Sequence, residues 1–230
     1  MTACRSIRIG YALLACCLWL TSPWSASAQH GHTEHRRPPD LKQYLEQLDR
    51  PERDEYQKPG QVVEALGLKA GMAVADLGAG SGYFTRRFVK AVTDAGKVYA
   101  IDVEQEMLAY TKTSLERLHI PHTVEFILAS SDNPKLPPDS VDLIFLCNVY
   151  HHLEDRDRYF AAVKPVLKSG GRIAIVDFYH DKRSGDVGFP RRHLVARETV
   201  MEEMRRAGYR LLREHEFLPR QYFLEFVPVP

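Results

Sequence analysis

Three glycines alternate through Gly78-Ala79-Gly80-Ser81-Gly82, directly after the apolar run Ala73 to Leu77 and directly before a helical pattern. Such a loop can take positive φ and let a ligand approach bare backbone at a helix N-terminus, as nucleotide-binding turns do. Asp76, two positions before the first glycine, adds a carboxylate that can pair with a cationic group on that ligand. A second apolar run, Val98 to Ile101, ends in Asp102. A carboxylate at a strand's end can accept hydrogen bonds from both hydroxyls of a ribose, and the same residue also suits the N-terminus of a following helix. A third group, Asn148-Val149-Tyr150-His151-His152, follows the apolar run Val141 to Leu146. Ligands of open sheets bind outside the carboxyl ends of the strands, so Asn148 is expected to hydrogen-bond a reacting group. Tyr150, His151 or His152 is then expected to take its proton, or else the histidines cap or pack beneath the next helix.

Spacing narrows the ligand. A dinucleotide fingerprint, G-x-G-x-x-G, needs glycine at 83, where the chain has Tyr83. Here the third glycine is Gly82, and Asp76-x-Gly78-x-Gly80-x-Gly82 resembles the first motif of the class I S-adenosylmethionine-dependent methyltransferases. That resemblance implies S-adenosylmethionine as cofactor, with Asp76, Gly78, Gly80 and Gly82 around it and Asp102 on its ribose. This cofactor has no pyrophosphate for a helix dipole to hold, so a carboxylate beside the loop makes chemical sense. In the family the elements before the first strand cover the cofactor, which implies contacts from Tyr56 and Gln57. Asp132 stands near where the family often places an acid for the adenine amino group, although Ala129-Ser130-Ser131 occupies the more usual spot. Leu167-Lys168-Ser169-Gly170-Gly171 resembles the family's turn before the fifth strand, with Ser169 in place of proline. Asn148 would then face the cofactor methyl. Methyl transfer from a sulfonium asks for no acid on the leaving group, so positioning and desolvation supply most of the rate. The resemblance covers Gln57 to the C-terminus. Two alternatives stay open: a protein of the same fold that binds the cofactor without turnover, and a nicotinamide-linked oxidoreductase, which Tyr83 disfavours.

These residues need a scaffold, and the pattern from Met72 onward supplies one. Strands are expected at Ala73 to Leu77, Lys97 to Asp102, Thr123 to Leu128, Val141 to Leu146 and Arg172 to Asp177, with helices at Tyr83 to Val92, Glu104 to Leu118 and Arg156 to Leu167. Short continuous apolar strands alternating with helices give a parallel sheet covered on both faces. A helix at Glu198 to Ala207 and two strand-like runs, Arg210 to Phe217 and Gln221 to Val227, complete the chain. Only Leu218-Pro219-Arg220 joins those runs, so they must pair antiparallel. The expected fold is α/β: a doubly wound, mostly parallel seven-stranded sheet with an antiparallel C-terminal hairpin strand, over a domain at 41–230. Helices are also expected at Leu41 to Leu48 and from Pro59 through Leu68.

The first 28 residues have the form of an export signal, with Arg5 and Arg8, an apolar core from Ile9 to Leu20, and Ala26-Ser27-Ala28 as a cleavage site. They imply an exported, periplasmic protein, with lipid anchoring at Cys16 as the alternative. Gln29 to Asp40 is expected to be a flexible His- and Pro-rich lead-in. His30, His32 and His35 could share a metal ion with Glu34 or simply be solvated. Of four cysteines only Cys147 lies beyond the signal, so no internal disulfide is available and a packing role is expected for it. The net charge of +1 argues against nucleic-acid binding by bulk electrostatics. With no insertion large enough for a substrate domain, the acceptor is expected to be a small molecule or an exposed side chain. The loop His180 to His193, with Lys182, Arg183, Arg191 and Arg192, could attract an anionic acceptor or be a solvated basic face.

Overall fold

Every residue of the first strand, β1 (Ala73–Leu77), is buried, which is the mark of a strand covered on both faces. The structure is a computed structural model that describes residues 40–120, 124–188 and 190–230. The export segment, Cys16, and His30, His32, His35 with Glu34 fall outside the described residues. Six further strands follow: β2 (Lys97–Asp102), β3 (Val124–Leu128), β4 (Val141–Cys147), β5 (Leu167–Phe178), β6 (Tyr209–His215) and β7 (Gln221–Pro228). They form one sheet in the order β3-β2-β1-β4-β5-β7-β6. β1 to β5 pair in parallel, whereas β7 runs antiparallel between β5 and β6. The expected doubly wound sheet with a reversed terminal hairpin is what the chain forms.

Helices α4 (Thr85–Val92), α5 (Gln105–Arg117), α6 (Arg156–Val163) and α7 (Arg197–Arg206) alternate with the strands. Alternation of side chains splits β1 between two cores. Val74 packs with Phe84, Phe88 and Phe145, whereas Ala75 and Leu77 join Phe160, Val200 and Met204 on the other face. Phe84 and Phe145 meet at 4.7 Å between ring centroids and Phe88 and Phe145 at 5.1 Å. Each such pair adds about 0.5–1.5 kcal/mol beyond the area it buries. Among the described residues no helix is long and apolar enough to cross a membrane.

Two differences from the sequence pattern bear on the site. Ahead of β1 there are three helices rather than two: α1 (Leu41–Leu48), α2 (Glu52–Gln57) and α3 (Pro59–Ala65). α2 is short and polar, with no apolar stripe to announce it. Lys58 closes it in the left-handed region at φ 43°, and Pro59 starts α3 with its fixed φ. β5 begins at Leu167, so the Lys168 to Gly171 stretch lies inside the strand and shifts its pairing with β4 between Val141 and Leu143.

Candidate active site

The register brings the chemistry-bearing residues to one end of the sheet. Leu77 pairs with both Ile101 and Leu146, so the chain leaves β1, β2 and β4 at one level, through Gly78, Asp102 and Cys147. Strand order reverses direction between β1 and β4, and such a switch point opens the crevice in which open α/β sheets bind ligands. Gly78 and Ala79 donate to the Ile101 carbonyl at 2.8 and 2.9 Å, and the Gly80 amide donates to Asp102 Oδ2 at 2.8 Å. Asp102 Oδ1 accepts the Glu104 amide at 3.1 Å.

The three glycines, expected to act alike, do different work. All three have positive φ, +76°, +56° and +76°. A Cβ on Gly78 would sit 2.3 Å from Val149 Cγ2, and one on Gly82 would sit 2.6 Å from Thr111 Cγ2. Those two positions are bare so that β4's exit and α5 can pack against the loop. At Gly80 the nearest atom is Leu48 Cδ1 at 3.3 Å, which leaves this residue as the bare floor beneath α1. A nucleoside ligand fits such a cradle, because a side chain at Gly80 would fill it.

Asp76 is 3% exposed, and its Oδ2 accepts the Thr85 hydroxyl at 2.6 Å. Burial raises its pKa to about 6 against the lowering effects of Thr85 and Arg53. Close to neutrality it is an anion held in apolar surroundings, which favours a cationic partner.

The N-terminal helices are fastened over this crevice. Asp49 accepts the Ser81 hydroxyl at 2.8 Å and Arg86 Nη2 at 2.7 Å. Asp54 accepts the Tyr83 hydroxyl. Arg53 lies with its guanidinium carbon 3.9 Å from the Tyr83 ring centre, donating to the Leu48 carbonyl at 2.8 Å. Sequence reasoning missed all three residues, since the C-cap of α1 and the polar positions of the short α2 carry no pattern. It had named Tyr56 and Gln57 instead. Gln57 is fully buried and its Nε2 donates to Gln221 Oε1 at 2.9 Å, so it is a packing residue rather than a cofactor contact. Tyr56 lies against Phe178 at 5.9 Å and beneath Arg220 at 4.8 Å, which places it toward the end of β5.

Beyond β4 the expected Asn148 to His152 group separates into parts. Asn148 takes φ +59°, and its Oδ1 accepts Gln221 Nε2 at 2.6 Å. Gln221, at the start of β7, therefore orients this amide with its NH2 outward. His151 Nδ1 lies 2.9 Å from both Asp177 oxygens, with the two side chains 2% and 1% exposed. Asp177, at the end of β5, was not singled out from the sequence, because nothing local ties it to His151. Tyr150 corrects an expectation: it is fully buried, stacks on Phe160 at 5.5 Å and donates to Glu203 at 2.7 Å. Burial and Glu203 push its pKa far above the ordinary value, so it is a core residue and no proton acceptor. His152 is exposed, with its ring 4.1 Å from that of His151. Asp132 is exposed as well, its carboxylate accepting the Ser130 hydroxyl at 2.7 Å in a turn at the edge of the sheet.

Cys147 joins the two halves of the site. It is half-buried, and desolvation of its thiol pushes it up to about 12 while the charges of Arg53, Asp177 and Asp76 all act on it. An uncharged thiol at that pKa is a packing group, as expected. In the basic loop, Arg183 is paired with Asp181 at 2.7 Å and Arg220 donates to the Ser184 and Asp186 carbonyls at 2.6 Å each. Among the described residues no three His, Cys, Asp or Glu side chains gather as a metal site.

A bare loop between carboxylates at the switch point, in a parallel sheet ended by a reversed hairpin, defines a nucleoside-binding domain of the methyltransferase type. The chain belongs to the S-adenosylmethionine-dependent methyltransferases: it is 31% identical to one from Aquifex aeolicus, whose crystal structure it matches with a TM-score of 0.76 over 83% of this chain and 99% of that one. The methyltransferase-domain family matches residues 75–175. Over 116 residues the chain is 30% identical to the ubiquinone/menaquinone biosynthesis C-methyltransferase UbiE of Psychromonas ingrahamii, which is 50% of this chain and 46% of that protein. It thus spans about half the length of the curated relatives it matches. A methyltransferase from Mesorhizobium loti shares the fold at 19% identity, with a TM-score of 0.58 over 81% of this chain and 99% of that one.

Proposed function

We propose that this protein transfers the methyl group of S-adenosylmethionine to a small-molecule acceptor seated at the ends of β4 and β5. The observation that carries this reading is the Gly80 floor, held by Asp102 and flanked by the buried Asp76 anion. Asp102 is assigned the ribose and Asp76 the cationic amino-acid end of the cofactor. Bound there, the cofactor supplies an electrophilic methyl on a sulfonium, which departs as a neutral thioether. The remaining work falls to the chain: Asn148 donates to the acceptor through the NH2 that Gln221 turns outward, and Tyr56 and Phe178 wall it from water. The His151–Asp177 dyad takes the acceptor's proton. A carboxylate only accepts hydrogen bonds, so it fixes the proton on Nδ1 and makes Nε2, an enclosed atom in the ligand-free fold, the basic nitrogen. Residues 1–28 are assigned to export, which would put the reaction outside the cytoplasm.

Calorimetric titration with S-adenosylmethionine, S-adenosylhomocysteine and NAD tests the cofactor. Binding of the first two and not the third supports the assignment, and NAD binding refutes it. Mass spectrometry of small-molecule pools incubated with protein and labelled cofactor then reads turnover; labelled protein with no labelled small molecule would sink the acceptor class.

A further inference from the structure

Arg220 carries a positive charge that the fold leaves unanswered at the ends of β5 and β7. Its Nε donates to the Ser184 carbonyl and its Nη2 to the Asp186 carbonyl, both at 2.6 Å, so two uncharged groups hold the half-buried fork in place. The acids of that loop are committed elsewhere: Asp181 is paired with Arg183 at 2.7 Å, and Asp186 Oδ1 accepts the Gly188 amide at 2.9 Å. Among the described residues no carboxylate pairs with Arg220, and its Nη1 has no hydrogen-bond partner. The guanidinium carbon stands 4.8 Å from the centre of the Tyr56 ring and 6.0 Å from that of Phe178.

Tyr56 brings a second uncommitted donor. It is half-buried, and its hydroxyl has no hydrogen-bond partner among the described residues. Burial raises its pKa above 10.0 against the pull of Arg53 and Arg220, so the phenol keeps its proton and can donate it. The oxygens around these donors are already used within the protein. Asn148 Oδ1 accepts Gln221, Gln221 Oε1 accepts Gln57, and Asp177 is shared between His151 and the Phe178 amide. Donors with one uncompensated positive charge, set against two flat rings, are complementary to a flat molecule bearing one negative charge.

We propose that the methyl acceptor is a monocarboxylic acid with a flat apolar body, its carboxylate held by Arg220 Nη1 and the Tyr56 hydroxyl. This rests on the acceptor reading above and deepens it by naming the substrate class. The carboxylate is a handle and takes no part in the transfer; its two oxygens meet the two donors, and its charge answers the guanidinium. The Tyr56 and Phe178 rings take the apolar body. An uncharged analogue keeps the ring contacts and loses the charge-assisted bond, so Arg220 sets specificity.

The test uses the full chain saturated with S-adenosylhomocysteine and titrated calorimetrically with benzoate and with benzamide, its uncharged isostere. Wild type should prefer benzoate by about tenfold or more, and Arg220→Gln should lose roughly 10- to 100-fold for benzoate with a smaller change for benzamide. Equal affinities in wild type, no binding of benzoate, or a preference that survives in Arg220→Gln overturns the proposal. Because Arg220 also fastens residues 184 and 186, Tyr56→Phe serves as the second variant: it leaves that latch and the ring in place and should weaken benzoate about 3- to 10-fold. Undiminished benzoate binding in Tyr56→Phe likewise overturns it. Unchanged affinity for S-adenosylhomocysteine shows that each variant is folded. Turnover gives an independent reading, with a small-molecule pool divided by anion exchange before incubation with labelled cofactor. Label is expected in products of the retained fraction. Label only in products of the unretained fraction overturns the acid handle and leaves methyl transfer standing, whereas label in neither fraction refutes methyl transfer to a small molecule and the handle with it.

Discussion

His151 Nδ1 stands 2.9 Å from each oxygen of Asp177, an ion-pair geometry across the end of the β4–β5 ladder between residues 26 positions apart. Asp177 is further held by the Phe178 amide at 2.8 Å, so its carboxylate is fixed before any acceptor arrives. Asp177→Asn keeps the shape and lets an amide donate to Nδ1, which puts the ring proton on Nε2 and removes the base. With an acceptor that turns over, kcat should fall about 10²-fold or more while the calorimetric affinity for cofactor stays put. His152→Ala should alter neither.

The glycines should separate by phenotype. Gly78→Ala and Gly82→Ala drive a methyl into Val149 and Thr111, and each should cost about 1–3 kcal/mol of stability in a denaturant melt. Gly80→Arg meets only Leu48 nearby and should abolish cofactor binding with a smaller effect on the melt. Normal affinity in that variant would remove the loop from the site.

Asp76 makes opposite predictions for stability and function. Its carboxyl is raised from 3.8 to about 6 in the fold, so the folded state holds the proton more tightly than the unfolded chain does. Folding stability therefore falls as pH rises between those values and levels off above about 6. Asp76→Asn should stabilise the ligand-free protein at pH 7.5 by up to about 3 kcal/mol and yet destroy cofactor affinity. In wild type, affinity should drop about tenfold per pH unit below 6, measured by calorimetry from pH 5 to 8.

Gln57 and Gln221, both buried, and the half-buried Asn148 form an amide chain from α2 to the end of β4. Gln221→Leu leaves the Gln57 amide buried without its partner and frees Asn148 to turn. A loss of about 1–3 kcal/mol is expected, which lowers the melting temperature by roughly 2–10 °C. The loss should be accompanied by a higher acceptor KM and an unchanged cofactor affinity.

The scaffold was largely legible along the chain. Ala73 to Leu77 is apolar throughout because both faces are covered, and Leu218-Pro219-Arg220 is too short for anything but an antiparallel return. The helix α2 was not legible: six residues, all but Tyr56 charged or amide-bearing, with a left-handed Lys58 behind them carry neither stripe nor cap signal. The glycines were read as a single motif, yet only the packing of Val149 and Thr111 against the loop shows that two of them serve the fold.

The sequence by itself determined the periods that make strands and helices, and the glycine and aspartate spacing that makes the loop, because these act between residues a few positions apart. Tertiary structure alone decided that Arg53 would stand beside Cys147, 94 residues on, that Asp177 would hold His151, and that Tyr150 would be spent on Glu203. Those pairings follow from the order and register in which β1, β4, β5 and β7 lie side by side, and no single segment of the chain carries that information.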